Sequence, residues 1–380
     1  MRTWVLAVSS FCGLAALALL DSGAAVELLR RIVPVLGFVA AMSVVVNAAQ
    51  SVRTFEGLIG HLQRLLGLSG GRGGGSPARA WALIFGISLV VTVFFSLDTT
   101  AILITPLVIA IARGSGLNTL AAAFAVVWMA NLGSMLLPIS NLTNLLAVET
   151  GHFSGLGDYL SLSWLPAVVL AMIAVLAPLV FRPERSPLAD TTTVPLSPES
   201  RRFAGLIGVL LVLLLTPLPV WVPTTAAALV AVLYLRSLGL PTPVHRMIPW
   251  STLSFAFSLS AAAALVHTLG LLDPVLVALA DRGPFTLAFA GALLSNAGNN
   301  IPAYLALEPA AATPADLMAL LIGVNAGPIV TPWASLATLL WADQARRHGV
   351  GIRWSTFMFA GLVIAPIAIV AATASLLLTH

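Results

Sequence analysis

Hydrophobic residues in this chain come in long blocks, and about 17 to 25 apolar residues are what a helix needs to cross a bilayer. Nine blocks qualify: Thr3 to Leu20, Ile32 to Ala49, Leu117 to Val148, Tyr159 to Phe181, Phe203 to Leu218, Val222 to Leu235, Trp250 to Leu271, Leu317 to Trp341 and Trp354 to Leu378. The third and eighth are broken by polar and helix-breaking residues. Two further segments, Ala80 to Ala112 and Pro284 to Ala312, are interrupted at mid-length. With limbs of about 12 to 17 residues, short for a span, they predict re-entrant hairpins. The expected fold is an all-α membrane protein of about nine spanning helices plus two hairpins, two of the helices being discontinuous.

The interruptions repeat. Asn131, Gly133, Pro138, Asn144, Leu145 and Leu146 in the first half correspond to Asn325, Gly327, Pro332, Thr338, Leu339 and Leu340 in the second, each 194 positions later. About thirty residues before each copy lies a polar hairpin tip: Ser96-Leu97-Asp98-Thr99-Thr100, then Ser295-Asn296-Ala297-Gly298-Asn299-Asn300. Broken apolar segments at corresponding places in two halves point to a midplane binding site of a transporter. The chain therefore divides into a first repeat over residues 1–181, a linker over 182–202 and a second repeat over 203–380.

Composition agrees. The 380 residues are 59% hydrophobic and 8% charged, too few charges for a soluble globule, where they make up about a quarter. The net charge of +4 comes from Arg in short loops, which writes membrane topology rather than nucleic-acid binding. Placing both feet of the first hairpin on one side leaves 15 Arg inside and three outside, the three being Arg30, Arg31 and Arg282. That bias puts the N-terminus in the cytoplasm and the C-terminus outside, and inverts the two halves. Ser51 to Leu68 alternates apolar and polar residues at helical spacing and reads as an interfacial helix, followed by a Gly-rich link over Ser69 to Ser76. Arg182 to Arg202, with Pro183, Pro187, Pro195 and Pro198, reads as the cytoplasmic linker. Arg2 ahead of an apolar block and Ala24-Ala25 behind it also fit a cleaved leader, which would leave the sidedness unchanged.

Non-helical backbone at membrane depth survives only inside protein or beside a wet cavity. Pro138 and Pro332 each remove an amide donor, and Gly133 and Gly327 relieve crowding where backbone must come close. The freed half-helix ends carry partial charges that suit an ion or polar solute. Asn131, Ser140, Asn141, Thr143 and Asn144 belong to the first break; Asn325, Ser335 and Thr338 belong to the second. The plain alternative is a packing kink whose polar side chains bond to neighbouring carbonyls. At the tips the candidates are Asp98, Thr99 and Thr100, facing Asn296, Asn299 and Asn300. Asp98 is the one carboxylate deep within an apolar segment, and such groups mark ion paths or proton relays. It could also cap the helix begun by Thr99. Glu308 and Asp316 read as vestibule charges. The lone Cys12 excludes a disulfide framework or thiolate cage, and the Gly70 to Gly75 stretch lacks the Lys-Ser/Thr of a phosphate loop. No catalytic centre and no metal or organic cofactor is expected, only a coupling proton or Na+.

The strings Leu97-Asp98-Thr99-Thr100-Ala101 to Thr105-Pro106, Leu137-Pro138-Ile139-Ser140-Asn141-Leu142-Thr143-Asn144, Asn299-Asn300-Ile301-Pro302 and Gly327-Pro328 through Ser335-Leu336-Ala337-Thr338-Leu339-Leu340-Trp341 resemble the bacterial arsenite/antimonite efflux permease family of the ion transporter superfamily. Thr54-Phe55-Glu56 and His61 resemble it too. The resemblance implies a substrate site where hairpin tips face broken helices, and dimers in related transporters. It also implies residence in the bacterial inner membrane and export of trivalent arsenic or antimony hydroxide, either against protons or with a soluble ATPase partner. Relatives often carry Asp where Asn131 and Asn325 stand. Three readings remain open at this stage: arsenite or antimonite export, sodium-coupled carboxylate transport, and sodium/proton antiport.

Overall fold

The computed structural model describes residues 3–68, 76–180, 194–280 and 282–378, and every regular element among them is helical. The Gly-rich link at 69–75 and the linker stretch 181–193 lie outside the described residues. Most apolar blocks form helices close to their expected bounds: Thr3–Leu20, Leu156–Leu176, Trp221–Ser237, Trp250–Thr268 and Trp354–Leu377. The interfacial segment is helical over Thr54–Leu65, and the block predicted at Phe203 to Leu218 runs instead over Pro198–Leu213.

The second helix departs most from expectation. It covers Ser22–Ser51, passing through Pro34, because Asp21 caps it early by accepting from the Ala24 amide at 2.9 Å. Arg30 and Arg31, expected in an outer loop, are therefore helical. The first hairpin also differs in scale. Its limbs Pro77–Phe95 and Leu97–Gly114 have 19 and 18 residues, each long and apolar enough to cross a membrane, yet they turn at Ser96 and pack on each other. The second hairpin has limbs Pro284–Ala297 and Asn300–Leu307.

Both discontinuous helices are present. The first runs Thr119–Leu132, breaks through short 3-10 turns at Gly133–Met135 and Pro138–Ser140, and resumes at Leu142–Val148. The second runs Pro314–Ala326, turns at Gly327–Ile329 and resumes at Leu336–Arg347. Leu142 and Leu336 restart the helices 194 residues apart, and the residues before them, Asn141 and Ser335, are both extended. The repeat in the sequence is thus a repeat in backbone geometry.

Packing sorts the elements into two bundles, each drawn from both halves of the chain. One contains Thr3–Leu20, Ser22–Ser51, Thr54–Leu65, Pro198–Leu213, Trp221–Ser237 and Trp250–Thr268. The other contains both hairpins, both broken helices, Leu156–Leu176 and Trp354–Leu377. An aromatic cluster holds the second bundle together: Phe124 packs edge-on against Trp128 and Trp341, with ring centroids 5.3 and 5.5 Å apart, and Phe357 closes on Trp341 at 5.8 Å. The Trp341 indole also donates to the Ala123 carbonyl at 2.7 Å, satisfying its one polar atom.

Contacts between loops show which ends lie together. Arg113 reaches the His348 carbonyl, Arg79 the Leu66 carbonyl, and Ser200 the Val52 carbonyl. At the other end Arg31 meets Glu308 and the Leu146 carbonyl, and His267 meets the Leu305 carbonyl. The feet of the two hairpins are therefore at opposite ends of the molecule.

Candidate functional site

One internal cavity of about 70 Å³ touches all four interruptions. The first tip contributes Ser96, Asp98 and Thr99, the second tip Asn300, the first break Asn141 and the second break Ser335. Each group lies at the start of a helical segment, so the cavity collects four helix N-termini whose amides carry partial positive charge. The first bundle closes one wall with Phe38, Met42, Ser43 and Thr252.

The second tip is tied firmly to its break. The Asn296 amide donates to the Gly327 carbonyl at 2.9 Å and its oxygen accepts from the Thr331 amide at 2.9 Å. The Asn299 amide donates to the Trp333 carbonyl, and the Asn300 backbone N–H donates to the Ala334 carbonyl at 2.9 Å. Asn299 also caps the following limb by accepting from Ile301 N. Gly327 is needed for this approach, since a Cβ there would lie 2.6 Å from Ala292 Cα.

The first tip is held more loosely. Its bond to the first break runs from the Ser140 hydroxyl to the Val93 carbonyl, at 2.9 Å. Within the hairpin Thr92 and Thr100 share a hydroxyl contact of 2.9 Å. Ser96 occupies φ 86°, a region an L residue enters only under strain, and a π-helical stretch over Thr100–Ile104 follows. Asp98 lies in the first turn of the returning limb, which starts at Leu97 rather than Thr99. No described residue donates to its carboxyl, so it lines the cavity without a protein partner.

Other predicted residues stand behind the cavity wall. Asn325 crosses between the halves: its oxygen accepts from the Asn141 amide, and its own amide donates to Asn144 Oδ1 at 2.9 Å and to Met135 Sδ at 2.9 Å. Asn144 in turn donates to the Ser134 carbonyl at 2.7 Å. Asn131, its counterpart by sequence, turns back to the Val127 carbonyl in its own helix. Thr143, Ser335 and Thr338 are fully buried with hydroxyls that have no partner among the described residues, an unusual cost for a buried polar group. Ser335 is the one of these three on the cavity.

The structure corrects three expectations about individual residues. Helix starts align Asn299 with Ser96, so Asn299 and Asn300 are not the counterparts of Asp98; Ile301 is. Gly133 is not wedged against backbone as Gly327 is: a Cβ there meets side-chain ends, Met129 Sδ at 2.9 Å and Leu89 Cδ1 at 3.4 Å. Glu308 is no loose vestibule charge, because it forms a two-oxygen ion pair with Arg31 at 2.6 Å. Sequence reasoning missed Ser43 and Thr252, which sit in uninterrupted helices and carry no break to mark them.

Beside the cavity lies a larger one of about 800 Å³, lined by Glu149, Asp158 and the loop 214–220, which shares Ile139 and Leu145 with it. Burial raises the Glu149 carboxyl above its ordinary range, against the opposing pull of Arg31.

A family model described as citrate transporter matches residues 2–317. The arsenical pump membrane protein of Escherichia coli strain K12 is 30% identical over 329 residues, covering 77% of this chain and 75% of that one. The protein of the same name from Yersinia enterocolitica is 29% identical over 327 residues, with the same coverage. Among solved structures, the YdaH transporter of Alcanivorax borkumensis, described as having an unusual topology, superposes with a TM-score of 0.60 at 16% identity, covering 98% of this chain and 97% of that one.

Proposed function

The chain belongs to the citrate transporter family, among its arsenical pump membrane proteins, and on that premise we propose that it exports arsenite or antimonite by proton-coupled alternating access. It is a multi-pass membrane protein, and we place it in the bacterial inner membrane with the N-terminus cytoplasmic and the C-terminus outside.

The shared cavity carries this reading. A water needs roughly 10 to 15 Å³ of such space, so about 70 Å³ accommodates a few water-sized groups. Trivalent arsenic hydroxide, one arsenic with three hydroxyls, is a neutral solute of that size near pH 7. Citrate is several times larger. Amide, hydroxyl and carboxylate groups line the cavity, without a basic side chain, and a triol needs donors and acceptors rather than a counter-charge. Asp98 holds the coupling proton: with no protein partner it is free to exchange one with the cavity, and its loading changes the charge beside the solute. The bundle holding the tips and breaks then moves against the other bundle, exposing the cavity to each face in turn.

A second reading has its own support. Four helix N-termini around one cavity favour an anion, and with Asp98 protonated they are unopposed. That arrangement suits a small anion carried with sodium. The deciding experiment measures arsenite accumulation in everted vesicles under an imposed proton gradient, then under a sodium gradient. Proton-driven arsenite uptake is expected. Sodium-dependent succinate or citrate movement with no arsenite uptake under either gradient overturns the proposal in favour of the second reading.

A further inference from the structure

Arg31 joins three elements that also line the cavity. It belongs to Ser22–Ser51 in the first bundle. Its two terminal nitrogens each hold one oxygen of Glu308 at 2.6 Å, where the second hairpin ends. The nitrogen facing Glu308 Oε2 also donates to the Leu146 carbonyl at 2.7 Å and lies 3.4 Å from the Tyr304 hydroxyl. Leu146 is in the last turn of Leu142–Val148, where carbonyls lack helical partners. The neighbouring Leu145, Ala147 and Val148 carbonyls are met by the local amides of Glu149, Thr150 and Gly151. Leu146 alone of the four takes its partner from the other bundle.

The same three elements line the cavity one to two turns away. Phe38 lies seven residues along the helix from Arg31, Leu142 four from Leu146, and Ile301 seven from Glu308. At 1.5 Å per residue these steps are about 10, 6 and 10 Å, all directed from the 149–155 and 308–313 loops toward the cavity. The Arg31 fork therefore lies across the cavity on that side, with Ile139 and Leu145 as the adjoining apolar wall shared with the larger cavity.

We propose that Arg31, paired with Glu308 and capping the Leu146 carbonyl, is the latch of the gate that closes the central cavity toward the face bearing the 149–155 and 214–220 loops. A planar fork suits this task, because it satisfies a carboxylate and a carbonyl at once and binds them only in one relative position of the two bundles. When the bundles shift, the pair must separate, so its strength sets the balance between closed and open states. The proposal rests on alternating access but not on the identity of the cargo.

The test is an accessibility measurement. In a Cys12→Ser background, Leu142→Cys, which lines the central cavity and not the larger one, is exposed to a membrane-impermeant maleimide added from the face bearing the 214–220 loop, and Leu240→Cys in the 238–243 loop serves as the opposite-face reference. Labelling at position 142 is expected to be slow with the pair intact and to rise roughly tenfold or more in Arg31→Gln or in Glu308→Gln. The double variant should add nothing further, since one interaction has been removed in both. Glu308→Gln keeps the Leu146 contact and serves where Arg31→Gln fails to fold. Unchanged labelling in monodisperse Glu308→Gln protein overturns the latch. Since labelling reports access and not cargo, failure of arsenite transport in vesicles leaves this result independent.

Discussion

The two hairpin tips do the same architectural job with different chemistry. The second is bound to its break through Asn296, Asn299 and the Asn300 amide, and its limb is wedged on Gly327. The first is bound to its break through the Ser140 hydroxyl, turns through a strained Ser96, and presents Asp98 to the cavity with no protein donor. A repeated backbone thus does not imply a repeated function. The second half ties its tip to the wall, and the first leaves a carboxylate on the cavity with no donor among the described residues.

The sharpest way to break this comparison is Asp98→Asn. It keeps the size and polarity of the side chain but cannot exchange a proton, so gradient-driven accumulation should fall by about 100-fold or more, the scale of a lost proton-transfer group. Size-exclusion behaviour and substrate binding by calorimetry should stay near wild type. Normal concentrative transport would remove the asymmetry from the mechanism. The matched glycines come next. Gly327→Ala puts a Cβ into Ala292 and should destabilise the protein by about 2 to 3 kcal/mol. Gly133→Ala meets only the side chains of Met129 and Leu89 and should cost less than about 1 kcal/mol. Thermal unfolding in detergent reads both, and equal losses would mean the halves are packed alike. The aligned pair Asn141 and Ser335 should differ too, with the smallest effect on stability at Ser335. Ser335→Ala removes a hydroxyl that bonds to no described residue, so stability should hold within about 0.5 kcal/mol while KM rises several-fold. Asn141→Ala leaves Asn325 Oδ1 without its donor and should cost about 1 to 3 kcal/mol.

Much of this asymmetry could be read from residue types. Gly, Pro and Asn at a constant offset located both breaks, because those residues are costly in lipid unless backbone is meant to leave the helix there. The tips were legible for the same reason, and the carboxylate in an apolar segment marked Asp98. What the chain order hid was everything set by partners from the other half. Asn131 and Asn325 read as equivalents, yet one bonds within its own helix and the other spans the two breaks. Arg31 read as a topology signal because the apolar block begins at Ile32; the Asp21 cap sets the start ten residues earlier. Ser43 and Thr252 reach the cavity from unbroken helices, where one small polar residue carries no pattern.

The crossing of Asn325 to Asn141 and Asn144 also bears on how the molecule is made. The first break is completed by a side chain 184 residues further along the chain. At roughly 5 to 20 residues per second of synthesis, its amides wait on the order of ten to forty seconds for that partner. Lipid cannot solvate them in the interval, so the newly inserted first half must keep this surface turned toward water or toward the insertion machinery until the second half arrives.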